Sequence, residues 1–386
     1  MFLSLKEKES RFRALRGRMA EQGIDALIAR GSSAVRGDGA AFRYLTDFPN
    51  INIPLVLIFF RAAQEPPILL VESRFQAMHA EKNSWAGDIR LSNNFFQSLT
   101  EVLKEKKPER AALGIDGLHN FPFLWGQRLE EMFPGVTLTE FGPALKELRA
   151  YRTAEEIKLV KKSAALVDRA FSEGIKGIKP GKTEWDVMAR IDFLLKSQGV
   201  EKTFNLISQG PKVVAYVPSA RKIKKKGMVF TEITANYGGF WTQLARAVSL
   251  GKPDAKLVKL HQGAVRAIKE ALPYLKPGNK VSHPMTVMAQ SVKNSGLGCM
   301  PVYGHIVGID MVEDRPSPQN QSEIMPGMVF IVHPWPTLDG SSLLWYRRPR
   351  LSRLQPGKAP VRRRRAGSAH QQPEHERATA DRAVPG

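Results

Sequence analysis

Three phrases in the second half of the chain set proton-active side chains into apolar, strand-like surroundings. The first runs from Glu232 through Gln243 to Arg246 (EITANYGGFWTQLAR). The second runs from Gly304-His305 through Val312-Glu313 to Pro316 (GHIVGIDMVEDRP), and the third from Pro326-Gly327 to His333-Pro334 (PGMVFIVHP). Carboxylates and imidazoles carry general acid and base work, and histidine titrates naturally near neutral pH. The phrases fall at corresponding ends of two strand-rich stretches, the arrangement that builds a cleft site between two halves. Cys299, six residues before His305, reads as small apolar packing rather than as a nucleophile.

Two other phrases look like sites and have plainer readings. Gly177 to Thr183 (GIKPGKT) resembles a phosphate loop, but Lys176 stands where that pattern needs a glycine. A helix stop followed by a new N-cap explains it, so no nucleotide site is expected there. Arg221 to Lys226 (RKIKKK) packs five cations into six residues. A solvated turn is the favoured reading, and a patch for anionic carboxylates or phosphates is the functional one.

The elements that must hold the three phrases follow from periodicity. In the first 150 residues, Phe12, Leu15 and Met19 recur at helical spacing, and Ile24 to Ala29, Pro54 to Phe60, Pro67 to Val71 and Ala111 to Ile115 read as strands. Leu124 to Met132 reads as a helix, so this part is an α/β layer domain. A boundary falls near Arg149 to Arg152. Thr153 and Glu156 then form a capping box for a helix lined by Ile157, Val160, Ala164, Val167 and Phe171, ending at Lys179-Pro180-Gly181. Thr183 starts a second helix that runs to Ser197-Gln198-Gly199. The phrase repeats 97 residues later as Lys276-Pro277-Gly278 and Asn294-Ser295-Gly296, with the same gap of 18 residues between glycines. An internal duplication is expected, its halves continuing into Met228 to Val248 and Val302 to Val332.

The composition bounds the class. The chain has 386 residues, is 42 % hydrophobic and carries a formal charge of +21. That balance belongs to core-forming domains, and the length suits two. One cysteine excludes an intramolecular disulfide framework and points to a reducing compartment. The longest apolar run, Ile53 to Phe60, is far short of a membrane span, and the N-terminus lacks a signal-peptide core. A cytoplasmic protein with no membrane partner is expected. Residues 347 to 386 carry +8 of the charge, ten arginines and Lys358 against Glu374, Glu376 and Asp381. The run Arg362 to Arg365 can bind nucleic acid or an acidic membrane, but an unstructured solvated tail is the favoured reading.

Taken together the phrases resemble the metallopeptidase and creatinase family with the pita-bread fold, which includes aminopeptidase P, prolidase, methionine aminopeptidase and creatinase. Tyr44-Leu45-Thr46 is similar to a phrase of the creatinase-type N-domain, and Pro180-Gly181 to Glu184 to the opening of the catalytic domain. The resemblance implies an α+β protein. Residues 1–150 would form a creatinase-like α/β domain, 151–345 a truncated pita-bread domain and 346–386 an aberrant basic tail.

The resemblance also implies site roles. Family peptidases bind two metal ions through two Asp, one His and two Glu. The first Asp falls on Glu232, the second on neutral Gln243, the His on His305 and one Glu on His333. A catalytic His falls on Val312, and another falls near Ala215 or Tyr216. Two ions bring about +4 into the cleft, which one carboxylate does not offset. One Mn²⁺ or Zn²⁺ on Glu232, His305 and His333 is chemically possible; the charge balance favours none. The expected function is hydrolysis of a C–N bond in a small peptide, amide or guanidino substrate. His305 and Glu232 would be catalytic, while Gln243, Arg246, His333, Glu313 and Tyr216 would bind substrate. The alternative is a catalytically silent binding or scaffold protein. A homodimer is expected, and nucleic acid is not.

The family closes with a strand near residue 350 that supplies its last Glu, and this chain offers Trp345 to Leu354 (WYRRPRLSRL) instead. With freely chosen synonymous codons, reading Tyr346 to Leu354 one base later gives Ile-Gly-Asp-Pro-Val-Tyr-Leu-Val, the expected closing phrase. A frameshift near residue 345 is therefore expected, with loss of the closing strand.

Overall fold

Leu55–Phe60 and Ile68–Val71 are buried at every position, a pattern that a strand keeps only when both faces of its sheet are covered. The computed structural model describes residues 2–31, 39–49, 54–106, 111–210 and 217–344, and the backbone of 350–351. Tyr216, and all of the basic tail apart from the backbone of 350–351, lie outside the described residues.

The first part holds strands β1 (Ala26–Gly31), β2 (Leu55–Phe60), β3 (Ile68–Val71), β4 (Asp88–Leu91), β5 (Ala112–Ile115) and β6 (Thr137–Glu140). They form one mixed sheet in the order β4-β3-β2-β1-β5-β6. Alternation sorts their side chains: Leu27 and Leu57 face Phe12, Leu15 and Met19, while Ile28 and Ile58 face Leu99, Leu103 and Leu129. The helices supplying those residues are α1 (Leu5–Glu21), α4 (Phe95–Lys106) and α5 (Phe123–Met132). Between them lie α2 (Ala40–Thr46) and α3 (Arg74–Asn83), and α6 (Gly142–Arg149) ends the layer.

The second part opens with α7 (Ala154–Gly174), whose capping box joins Thr153 and Glu156 reciprocally. The helix stops earlier than its apolar period suggests, because Ile175–Gly177 tightens into a 3₁₀ turn before the Lys-Pro-Gly phrase. Next come α8 (Glu184–Lys196), β7 (Lys202–Thr203), β8 (Leu206–Gln209), β9 (Gly227–Tyr237) and β10 (Phe240–Leu250). β9 and β10 pair over eleven positions, with Gln243 opposite Thr234 and Ala245 opposite Glu232. The other half holds α9 (Ala255–Ala271), α10 (Ser282–Asn294), β11 (Gly298–Cys299), β12 (Gly304–Val307), β13 (Val329–Val332), β14 (Pro336–Leu338) and β15 (Ser341–Ser342).

The duplication reaches individual hydrogen bonds. Gly181 donates its N–H to Ile223 O and Gly278 donates to Ile324 O, each at 2.9 Å. Both glycines have positive φ, 87° and 92°, and the next turns bridge Thr183 to Lys222 and Lys280 to Glu323. The two halves meet where Trp241 N donates to Gly308 O at 2.8 Å.

One expectation is corrected at the end of the chain. Arg350–Leu351 forms a two-residue strand, β16, paired antiparallel with Val329 and Phe330 of β13. An open sheet edge offers backbone N–H and C=O groups to whatever sequence arrives, so pairing does not require the family's closing phrase.

Buried charges tie the two parts together. On one side Arg11 contacts Glu7 at 3.0 Å and Glu156 at 2.6 Å, and donates to Tyr44 O at 2.7 Å. On the other, Arg149 meets Glu313 at 3.1 Å, and Arg152 donates to Val307 O at 3.1 Å.

Candidate functional site

Alternation along β9 puts Glu232, Thr234 and Asn236 on one face, while Ile233 and Ala235 pack with Leu244 against α7 and α8. Gln243 shares the polar face through its pairing opposite Thr234. The second half brings His305 from β12 and His333 from the residue after β13 to the same place. All four of Glu232, Gln243, His305 and His333 are buried, none more than 9 % exposed.

They form a hydrogen-bonded series. Gln243 Nε2 donates to Glu232 Oε1, and Gln243 Oε1 lies 2.8 Å from His305 Nε2. A carboxylate only accepts, so the amide turns its NH₂ to Glu232 and its oxygen to His305. That oxygen in turn requires a proton on His305 Nε2, which leaves the basic lone pair on Nδ1. The His305 and His333 rings stand edge to face with centroids 5.6 Å apart. Burial, and then the neighbouring His305, lower the His333 pKa to about 3, so His333 is neutral at physiological pH.

Backbone geometry fixes His305. Gly304 has φ +126°, and a Cβ there would collide with Ile331 O on the paired strand. A glycine is required so that β12 and β13 can approach and set the imidazole opposite Gln243.

Two residues expected at the site stand elsewhere. Arg246 is three positions from Gln243, an odd number, and so lies on the opposite face with Val248 and Leu250. It donates to Ala245 O at 2.8 Å, and after burial its charge is the second cause lowering the His261 pKa. Glu313 is committed to Arg149 and Arg152, and accepts from Asp310 N at 3.1 Å. Burial pushes its carboxyl up, but Arg149 and Arg152 outweigh that and hold it below its ordinary value. Glu313 therefore ties Arg149 and Arg152 to the Gly308–Asp310 loop. Sequence reasoning missed Thr234 and Asn236, whose buried side-chain oxygens Oγ1 and Oδ1 lack a hydrogen-bond partner among the described residues. The polar alternation Glu-x-Thr-x-Asn was the available signal.

The donor set does not fit a pair of divalent ions. Gln243 is neutral, and both ends of its amide are engaged by Glu232 and His305. Among the described residues no three His, Cys, Asp or Glu groups converge to hold a metal ion.

A duplicated α/β domain with a buried polar cluster drawn from both halves, following a mixed-sheet domain, is the architecture of pita-bread peptidases. Residues 158–357 match the Metallopeptidase family M24 and residues 11–151 the Creatinase/Prolidase N-terminal domain. The chain belongs to metallopeptidase family M24. It is 26 % identical over 246 residues to the Xaa-Pro dipeptidase of Pyrococcus furiosus, covering 62 % of this chain and 69 % of that protein. The Xaa-Pro dipeptidase of Pyrococcus horikoshii is 24 % identical over 328 residues, 82 % of this chain and 86 % of that one. In fold, the chain is similar to the X-Pro aminopeptidase of Thermotoga maritima (TM-score 0.78, 19 % identity, 89 % of this chain and 98 % of that one). It is likewise similar to the prolidase of Pyrococcus horikoshii (TM-score 0.75, 19 % identity, 89 % and 95 %). Among the described residues no helix is long and apolar enough to cross a membrane.

Proposed function

We propose that this chain hydrolyses a C–N bond in a small Xaa-Pro peptide or related amide without a dinuclear metal centre. The observation that supports this reading is the buried series Glu232–Gln243–His305 in the cleft of an M24 fold. His305 takes a proton from water as the water oxygen attacks the carbonyl carbon. The same imidazole then returns that proton to the leaving nitrogen as the C–N bond breaks. Glu232 acts through Gln243, fixing the tautomer and orientation of His305 as a carboxylate does in a catalytic triad. Thr234 and Asn236 supply polar groups for the substrate backbone.

The second reading, a silent binding protein, draws on the fact that Glu232, Gln243 and His305 satisfy one another. Turnover of Xaa-Pro dipeptides by purified protein, before and after exhaustive chelation and with added Mn²⁺, separates the possibilities. Activity that survives chelation and is lost in His305→Ala supports the hydrolase. Activity restored only by Mn²⁺ sinks the metal-free mechanism. Peptide binding with no turnover under any condition establishes the silent reading.

A further inference from the structure

The two basic phrases, 40 residues apart in sequence, are joined in the structure. Gly181 N donates to Ile223 O at 2.9 Å, Ile223 N to Lys182 O at 2.8 Å and Glu184 N to Arg221 O at 3.0 Å. Thr183 bridges Lys222 in antiparallel fashion. The Lys-Pro-Gly-Lys-Thr turn is thus zipped to the RKIKKK loop, and Ile223 anchors the pair in the core beside Ile178. The loop is held beyond the zipper as well. Gln209 accepts from Lys224 N at 2.7 Å and donates to Lys224 O and Lys226 O at 3.2 and 3.3 Å. Gly251, next to Lys252, abuts Lys226.

The result is a preformed basic track of Lys182, Lys222, Lys224, Lys225, Lys226 and Lys252, all exposed. The nearby acids are occupied: Glu184 is buried and bonds Arg221 and Ser219, Asp186 accepts from Thr183 N–H, and Asp254 caps α9. At the other end of the zipper stand apolar side chains. Trp185 is 58 % exposed and held outward by a 2.9 Å bond from Nε1 to Pro218 O; Val217 is 73 % exposed. Two turns along α8, Phe193 is 70 % exposed.

We propose that this face attaches the protein peripherally to an anionic lipid surface. Lysines at fixed spacing meet the headgroup charge, and a tethered indole beside an aliphatic residue suits the headgroup–acyl boundary. A nucleic-acid groove would set its aromatic rings within the basic track for stacking; here they stand at its end, with Val217. That no helix among the described residues is long and apolar enough to span a membrane has no bearing on such surface attachment.

The test is co-sedimentation of the full chain with phosphatidylcholine vesicles containing or lacking phosphatidylglycerol. Binding is expected only with the anionic lipid, falling steeply with salt. Each lysine near such a surface is worth about fivefold, so K224Q/K225Q/K226Q should weaken binding on the order of 100-fold. Those changes leave Arg362 to Arg365 intact. W185F, compared with the parent, should remove a vesicle-induced blue shift in tryptophan emission. Circular dichroism confirms that each variant is folded. Binding unchanged in the triple variant assigns attachment to the tail and overturns the proposal. Binding indifferent to lipid charge, or tight binding to mixed-sequence single-stranded RNA without vesicle binding, overturns it too.

Discussion

Gln243→Glu is the sharpest perturbation of the cleft, because it changes one NH₂ into an oxygen at nearly constant volume. In the native protein that NH₂ donates to Glu232. In the variant two carboxylates face each other in a buried site. At about 4 Å and an effective dielectric of about 20, their repulsion is roughly 4 kcal/mol. The folded state escapes it by binding one extra proton, on a carboxyl or on His305, which bonds the same residue. Either choice raises a folded pKa above its unfolded value, so stability is retained at low pH and lost as pH rises. With an unfolded carboxyl titrating near 4.3 and an unfolded imidazole near 6.5, the variant should be destabilised by no more than about 1 kcal/mol at pH 5 and by about 2–4 kcal/mol at pH 8. Urea denaturation of both proteins at the two pH values measures the difference. A destabilisation below about 1 kcal/mol that does not change with pH would refute the geometry of the Glu232–Gln243 contact. The variant also adds an anionic ligand beside Glu232, so its stability at pH 8 should rise on adding Mn²⁺, whereas the parent's should not.

Other outcomes follow from the same structure. Glu313→Gln leaves Arg149 and Arg152 buried without their counter-charge and should cost about 3–5 kcal/mol in urea melts at pH 7. Because the native Glu313 pKa is lowered, that difference should shrink as pH falls through the carboxylate range. His333, with its pKa lowered to about 3, contributes stability that is present above pH 6.5 and lost as pH falls towards 3; His333→Gln should flatten that acid slope. Gly304→Ala should cost more than about 3 kcal/mol, seen as a fall in Tm with loss of near-UV dichroism. Sequencing the gene beyond codon 345 should reveal the Gly-Asp-Pro-Val-Tyr-Leu-Val phrase one base out of frame; an early stop in that frame would end the frameshift idea.

What the sequence made legible was local or repeated. Thr153 and Glu156 cap each other three residues apart, and the duplicated Lys-Pro-Gly turns differ only in context, so pattern alone found them. Glu232 and His305 were traceable because each interrupts an apolar strand, and His333 because it ends one. Arg246 was misplaced although its odd offset from Gln243 already put it on the far face of β10. Glu313 could not have been read correctly, since its partner Arg149 lies 164 residues earlier and nothing near it in sequence signals a buried cation. The basic surface likewise needed the fold: hydrogen bonds between residues 181–185 and 218–223 make two ordinary turns into one track.

The connection between the two parts has a temporal side. Arg11 finds Glu156 soon after the first domain is complete, but Arg149 and Arg152 must wait for Glu313. At roughly 5–20 residues per second, synthesis of the intervening stretch takes about 8–30 s. Throughout that interval Arg149 and Arg152, both buried in the finished fold, wait for the carboxylate of Glu313. The first domain therefore leaves the ribosome with its exit strap open, and the chain completes its joint only when its last quarter emerges.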